Sequence, residues 1–314
     1  MKKFAGALIL LIVGALLSCP KPTSSPSKAW VVSTLAGSSG TENPRLNFRD
    51  GAGASARFSN PFGVAVDAAG NVYVADTSNH RIRKITPKGL VSTLAGSDRA
   101  GDSVGAGAEA KFNNPMDLAV DAAGNLYVAD TFNNKIRKFS LAGGSVSVST
   151  LAGTGSAGSE DDTGTTAAQF NNPRGVAVDA SGNVYVADEG SSLIRKIVPT
   201  EGGGVRVSTL AGSTAGNTDG AGTTAAKFRN PYGVAVDAAG NVYVADYNNH
   251  RIRRITPGGL VSTIAGDGES GFKDGAGATA RFNRPAGVAV DAEGNLYVAD
   301  KDNARIRKIE YKLP

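Results

Sequence analysis

Four short strand-like runs recur in the same order along the chain, in five copies of which the last has only the first three runs. In the first copy they read G-V-A-V-D (63–67), N-V-Y-V-A-D (71–76), R-I-R-K-I (81–85) and L-V-S-T-L-A (90–95). Val, Ile and Tyr favour a pleated backbone, and the Gly, Pro, Asn and Asp residues between the runs form turns. The pattern therefore predicts four antiparallel strands in each copy.

The first two strands of each copy are apolar on both faces, as the consecutive pairs Val64–Ala65 and Val74–Ala75 show. Such a strand must be covered on both sides, and radial packing of four-stranded sheets provides that cover. Each copy is anchored by a proline, at Pro61, Pro115, Pro173, Pro231 and Pro285. A regular repeat of this kind means like units that bury their faces against one another. The predicted fold is all-β, a β-propeller.

The two ends of the chain suggest how the ring closes. The fifth copy ends after its third strand, R-I-R-K-I (305–309), whereas W-V-V-S-T-L-A (30–36) precedes the first copy and matches a fourth strand. We expect this N-terminal strand to complete the last blade. The prediction is five four-stranded blades, in preference to six.

Three motifs carry a family resemblance. F-x-x-P-x-G-V-A-V-D, G-N-V-Y-V-A-D and D-x-x-N-x-R-I-R-K-I, recurring between residues 30 and 311, resemble the NHL repeat. The resemblance implies a β-propeller, and five blades depart from the six that this family often has. Some NHL propellers bind RNA. Some propellers related to the family are enzymes, namely the amidating lyase, lactonases and strictosidine-synthase-like proteins.

The first residues resemble a bacterial lipoprotein signal. Lys2 and Lys3 precede an apolar stretch that ends Leu-Leu-Ser-Cys at Cys19, the single cysteine of the chain. The stretch is short for a membrane span. We therefore expect a signal peptide (1–18), a Pro/Ser-rich tether from a lipidated Cys19 (19–29) and the propeller (30–314). The protein would then be exported and membrane-anchored through lipid alone, facing the periplasm or the cell surface. An ordinary secretory leader is the alternative.

Recurrence in every copy first indicates framework. Asp67 is expected to accept backbone N–H groups in a turn that Gly70 closes with a positive φ, and Asp76, Asn79 and Arg83 to form a polar clasp. The net charge of +5 is too small to argue for nucleic acid. The basic third strands are read as partners of the recurring aspartates, and no nucleic-acid partner is predicted.

Long loops lead into each proline, and four of them carry D-G-x-G or a close relative, for example R-D-G-A-G at 49–53. Clustered Asp and Gly residues suit a calcium ligand set, but none of the loops has the full twelve-residue calcium pattern. Turn formation is the favoured role, and no cofactor or metal is predicted.

Specificity is expected where the copies differ, because identical positions make no asymmetric site. Two loop-face positions vary: the residue after the anchoring proline and the residue after the second strand. A partner-binding surface is therefore predicted at Phe62, Met116, Arg174 and Tyr232 and at Phe132, Glu189, Tyr247 and Lys301. Tolerated surface variation explains the same pattern equally well.

Two functions remain open. The favoured one is a non-catalytic module that binds a protein or glycan in the cell envelope. The alternative is an envelope lyase or hydrolase at the mouth of the channel, with Asp117 and Glu189 as its carboxylates, since both depart from the repeat. The two histidines, His80 and His250, occupy the same place in two blades and are read as polar turn residues. No nucleophile elbow, phosphate loop or His-x-Glu metal motif occurs.

Overall fold

A computed structural model describes residues 33–38, 48–141, 144–162 and 167–310. Within these residues the protein is an all-β, five-bladed propeller, as predicted, without an α-helix. Blades 1 and 2 consist of strands Pro61–Val66, Val72–Asp76, Arg81–Ile85 and Leu90–Gly96, then Pro115–Val120, Leu126–Asp130, Lys135–Ser140 and Ser147–Ala152. Blades 3 and 4 consist of Pro173–Val178, Val184–Asp188, Leu193–Pro199 and Val205–Ala211, then Pro231–Val236, Val242–Asp246, Arg251–Ile255 and Leu260–Ala265. Blade 5 consists of Pro285–Val290, Leu296–Asp300 and Arg305–Ile309.

Shorter elements join these strands. The two-residue strands Gly51–Ala52, Gly105–Ala106 and Gly220–Ala221 extend the outer edges of blades 1, 2 and 4. A 3-10 turn follows each second strand, at Thr77–Asn79, Thr131–Asn133, Glu189–Ser191, Tyr247–Asn249 and Lys301–Asn303. Further 3-10 turns lie in loops, for example at Gly53–Ser55 and Gly277–Thr279. None of the helices in the described residues is long and apolar enough to cross a membrane.

The predicted hairpin turn between the first two strands is confirmed. The Asp67 carboxylate accepts the Ala69 and Asn71 backbone N–H groups at 3.0 and 2.9 Å, and it also accepts the Tyr73 hydroxyl at 3.0 Å. Gly70 has a φ of 78°, which a residue with a Cβ rarely adopts. The same bonding recurs in later blades, so each hairpin is fixed by its own side chains.

The predicted polar clasp is also confirmed, and it extends further than the sequence indicated. In blade 1 the buried Arg83 binds Asp76 at 2.7 Å within the blade, and it binds Asp50 of the D-G-x-G loop at 2.6 Å. Its guanidinium also lies 4.9 Å from the centre of the Phe58 ring. Equivalent pairs join loop and blade at Arg137–Asp102, Arg195–Asp161, Arg253–Asp219 and Arg307–Asp274. The loop aspartates that suited calcium are therefore engaged by arginines.

Apolar side chains fill the space between successive blades. At the interface of blades 1 and 2, Ile82 of the third strand packs with Phe112 and Leu118, and all three are buried. The corresponding third-strand residues Ile136, Ile194 and Ile252 have no exposed surface. Each interface buries a surface that one blade could not cover alone, which is why the repeats depend on their neighbours.

The interface between blades 5 and 1 differs from the others. Ile306, the counterpart of Ile252, is 75% exposed, and Val64 of blade 1 is 63% exposed. Blade 5 contains three strands in the described residues, so the fourth strand predicted from residues 30–36 is not paired with Arg305–Ile309 there. Residues 30–32 lie outside the described residues.

The described end of that N-terminal segment lies against blade 1 instead. The Gly37 N–H donates to the Gly53 carbonyl at 2.8 Å, as Gly96 does to Gly107 one blade later, and Ala36 packs against a cluster that contains Ala56. Residues 35–37 thus occupy the place that the end of a fourth strand takes beside the following blade. The apolar core under the blade 1 loop holds them there. Because residues 30–32 lie outside the described residues, completion of blade 5 by this segment stays a prediction.

Candidate functional site

The variable loop-face positions lie where each first strand begins and each second strand ends. In blade 4 these two points are neighbours, because Pro231 pairs with Asp246 in the antiparallel ladder. The residues that follow, Tyr232 and Tyr247, are therefore brought together although most of the hairpin lies between them in sequence. The two rings stack with their centres 4.0 Å apart and an interplanar angle of 9°.

Two cations flank this tyrosine pair. The Arg174 guanidinium lies 4.3 Å from the centre of the Tyr232 ring. Since Tyr247 covers one face of that ring, Arg174 covers the other. At the opposite end, Lys301 Nζ donates to the Tyr247 hydroxyl at 2.9 Å, and this bond raises the pKa of Lys301. Burial raises the pKa of Tyr232 as well. The result is a row in the order cation, ring, ring, cation.

Glu189 and Met116 extend the row on the side of Arg174. Arg174 Nε donates to Glu189 Oε2 at 3.1 Å, and Glu189 Oε1 accepts the Asn230 side-chain amide at 2.8 Å. Arg174 Nη1 lies 3.8 Å from Met116 Sδ. We call the six residues of this row the mouth cluster: Met116, Arg174, Glu189, Tyr232, Tyr247 and Lys301. Four of the five blades contribute to it.

The two remaining predicted residues lie apart from the mouth cluster. Phe62 is 43% exposed and borders, from blade 1, a cavity that Arg174 and Tyr232 also border. Phe132 was predicted to follow the second strand directly, and this is wrong. Thr131 occupies that position, buried, with its hydroxyl donating to the Pro173 carbonyl at 2.7 Å. Phe132 is the next residue of the turn and is 49% exposed.

Sequence reasoning missed the role of Asn230. It adopts a left-handed conformation with a φ of 52° and holds the Glu189 carboxylate. Asn precedes the anchoring proline in four of the five repeats. That recurrence marks a framework residue, and Asn230 contacts the mouth cluster because the variable Glu189 lies opposite it.

The predicted role of the two histidines as turn residues is confirmed. His80 and His250 end their 3-10 turns in the left-handed conformation. Each accepts a backbone N–H on Nδ1 at 3.1 Å, from Asn114 and Arg284 respectively, and burial lowers both pKa values. The described part of the chain contains no group of three or more His, Cys, Asp or Glu side chains able to hold a metal ion.

Behind the mouth cluster, the first strands approach one another closely at a ring of glycines. A Cβ at Gly175 would lie 2.2 Å from the Tyr232 carbonyl oxygen, and one at Gly233 would lie 2.7 Å from the Ala286 carbonyl oxygen. Such distances exclude any side chain. A Cβ at Gly287 of blade 5 would lie 3.5 Å from its nearest neighbour, the Ala299 Cβ of the same blade. The first strands of blades 5 and 1 therefore do not approach each other as the other first strands do.

Asp117 takes the place of glycine in blade 2. Its Oδ1 accepts the Leu118 N–H at 2.9 Å and its Oδ2 accepts the Val176 N–H of blade 3 at 3.1 Å. The Asp117 carboxyl lines the cavity that Phe62, Arg174 and Tyr232 also border, which we call the axial cavity and which has a volume of about 310 Å³. Burial raises the pKa of this carboxyl to about 7. Asp117 and Glu189, considered above as a catalytic pair, thus have different partners.

Five segments of the chain match the NHL repeat: residues 58–85, 112–139, 170–197, 228–255 and 282–309. The chain is 33% identical over 291 residues to the protein SUPPRESSOR OF QUENCHING 1, chloroplastic, of Arabidopsis thaliana, an alignment that covers 87% of this chain and 27% of the relative. It is 33% identical over 300 residues to NHL repeat-containing protein 2 of Gallus gallus, covering 85% of this chain and 41% of the relative. The chain therefore spans less than half the length of either relative.

Solved structures share the fold at low sequence identity. The crystal structure of an auxiliary nutrient binding protein from Bacteroides thetaiotaomicron aligns with a TM-score of 0.57 and 20% identity, over 88% of this chain and 75% of that one. A chain in the crystal structure of a nidogen/laminin complex aligns with a TM-score of 0.55 and 18% identity, over 80% of this chain and 76% of that one. At such identities the likeness describes the fold alone.

Proposed function

We propose that this chain, an NHL-repeat β-propeller, is a non-catalytic binding module that holds a protein or glycan partner at its mouth cluster. The observation that carries the proposal is the unbroken row from Met116 through Arg174, Tyr232 and Tyr247 to Lys301. Aromatic residues, Met and Arg are the side chains enriched in the buried centres of interfaces. In this chain they come from different blades, at positions where the repeats vary.

The internal contacts of the row also support a binding role. Tyr232 is covered on both faces, and Arg174 is fixed by Glu189, so the side chains are ordered before a partner arrives. Ordering in advance reduces the entropy that association would otherwise cost. Two solved propellers with this fold are described as nutrient binding or as part of a protein complex, which agrees with such a role.

The row favours a protein over a glycan. Sugars stack on free aromatic faces, whereas both faces of Tyr232 are occupied and Tyr247 is buried. What remains for a partner is the ring edges, the half-exposed Lys301 and the apolar surface of Phe62. Ring edges and charged ends suit the mixed polar and apolar surface of a protein.

A capture experiment with matched variants tests this function. The full chain is immobilised beside a variant with alanine at Arg174, Tyr232 and Tyr247 and beside Phe132→Ala as the control, because Phe132 is exposed outside the cluster. Cell-envelope extract and a glycan array are applied to each. Retention by the wild type and Phe132→Ala but not by the folded triple variant is the expected result. Equal retention by all three overturns the mouth cluster as the binding surface.

We further propose that the protein is anchored to a membrane through a lipid on Cys19. The support is the position of the single cysteine at the end of a short apolar leader. Metabolic labelling with an alkyne fatty acid, in cells that express the wild type or Cys19→Ser, tests the anchor. Incorporation that depends on Cys19, together with release of the variant from membranes, is expected. Equal labelling of both forms overturns it.

A further inference from the structure

We propose that the axial cavity is a second binding site, selective for small organic amines that have an apolar body. The inference is independent of the mouth cluster's partner, since it depends on the Asp117 carboxyl and the apolar walls below the mouth. Three features of the cavity carry it: its lining, the bonding of the carboxyl, and the lack of a counter-ion near it.

The walls are apolar almost throughout. Among the described residues, the cavity of about 310 Å³ is bordered by Val64, Val234, Val288 and Ile306, with glycine backbone between them. Val64 and Ile306 keep exposed surface because blades 5 and 1 do not close on each other. A ligand of about this volume with an aliphatic body would cover that surface, and burial of apolar area favours binding.

Two charged side chains border the cavity, Asp117 and Arg174. Arg174 is already paired with Glu189, which neutralises it locally. Among the described residues, Asp117 has two backbone N–H donors and no ion-pair partner at its carboxyl. A carboxylate offers about four lone-pair directions, so two remain for a further donor.

The other repeats show that the carboxyl is not needed to build the ring. Blades 1, 3, 4 and 5 have Gly63, Gly175, Gly233 and Gly287 at this position. The Asp117 side chain fits only because Gly63 opposite lacks a Cβ, which would lie 2.4 Å from Oδ1. A partly desolvated carboxylate without a counter-ion is unfavourable, and a bound ammonium group would supply the missing charge and donors.

The tyrosines that border the cavity do not offer an equivalent anchor. Tyr232 is stacked between Arg174 and Tyr247, and the Tyr297 hydroxyl donates to Asp291 at 3.1 Å. Asp117 is therefore the one group in the described lining that would select a cation over a neutral or anionic analogue of the same size.

Calorimetric titration with three probes of equal chain length tests the proposal: n-hexylammonium, n-hexanol and n-hexanoate. The full chain is compared with Asp117→Asn, with Asp117→Gly, which restores the residue of the other blades, and with Asp267→Asn, a half-buried loop carboxylate that is paired with Arg281 and does not border the cavity. Melting curves establish that each variant is folded.

The wild type and Asp267→Asn are expected to bind hexylammonium more tightly than hexanol or hexanoate. Both Asp117 variants are expected to lose about tenfold or more in hexylammonium affinity, the effect of removing one charge-assisted hydrogen bond. Wild-type affinity should also fall between about pH 8 and pH 6 as Asp117 gains a proton, because an alkylammonium group, like that of lysine, stays charged below about pH 10. Absence of hexylammonium binding, or equal binding by folded Asp117→Asn, overturns the site.

Discussion

Arg83 and Asp76 form an ion pair in which neither side chain reaches solvent, with Nη1 2.7 Å from Oδ2. The pair joins the third and second strands of blade 1, and the same guanidinium also holds Asp50 of the long loop. Since each blade repeats this arrangement, the position of the loops on the blade is fixed by buried charge. Because the loops are held in this way, the variable residues of the mouth cluster lie next to one another.

Breaking this pair should be costly. Arg83→Ala leaves Asp76 buried without its partner, and such a change costs about 3–5 kcal/mol in the free energy of unfolding. Arg206→Ala removes an exposed arginine from a fourth strand and should change it by less than about 0.5 kcal/mol. Urea unfolding of the two variants beside the wild type measures both values. Similar losses for the two would show that the clasp does not support the fold.

Substitution of two equivalent isoleucines, Ile252 and Ile306, tests whether blades 5 and 1 are separated. Ile252 is fully buried between blades, so Ile252→Ala should cost about 2–5 kcal/mol. Ile306 occupies the same place in blade 5 but is 75% exposed, so Ile306→Ala should cost less than about 1 kcal/mol. Thermal or urea unfolding compares them directly. A large loss from Ile306→Ala would mean that blades 5 and 1 pack together in solution.

The half-buried Asp117 predicts a specific dependence on pH. Its pKa is about 7 in the folded protein, above its value in the unfolded chain. Above pH 7 the carboxyl is charged in both states, and its burial lowers the free energy of unfolding. As the pH falls through 7, the folded state takes up a proton that the unfolded state does not yet bind, so this penalty decreases.

Asp117→Asn should therefore be more stable than the wild type at about pH 8.5, and the difference should shrink towards about pH 5. Urea midpoints of both proteins at the two pH values give the comparison, in which the other titrating groups cancel. A difference that stays constant, or that grows as the pH falls, would contradict the assigned burial of this carboxyl.

The sequence predicts the blades well because their pattern is local. The run R-I-R-K-I matches the strand Arg81–Ile85, and the second run differs from Val72–Asp76 by one residue. Short runs of strand-favouring residues and Gly-containing turns determine these elements without knowledge of distant contacts. The clasp between Arg83 and Asp76 follows from the same repeat.

Contacts between distant segments were harder to predict. The pairing of Arg83 with Asp50 joins a strand to a loop, and several carboxylates in the loops were equally suitable in sequence. Counting from the second strand misassigned Phe132, because Thr131 takes the inward position and bonds to Pro173. The exposed Ile306 has the same sequence context as the buried Ile252, so its exposure depends on ring geometry that no single repeat contains.

The affinity of the captured partner for single variants tests the central claim most directly. Calorimetry would compare the wild type with Tyr232→Ala, at the centre of the mouth cluster, and with Phe132→Ala outside it. Loss of a central aromatic anchor should weaken binding by about tenfold or more, whereas Phe132→Ala should bind as the wild type does. Equal affinity for wild type and folded Tyr232→Ala would contradict the assignment of the mouth cluster as the binding surface.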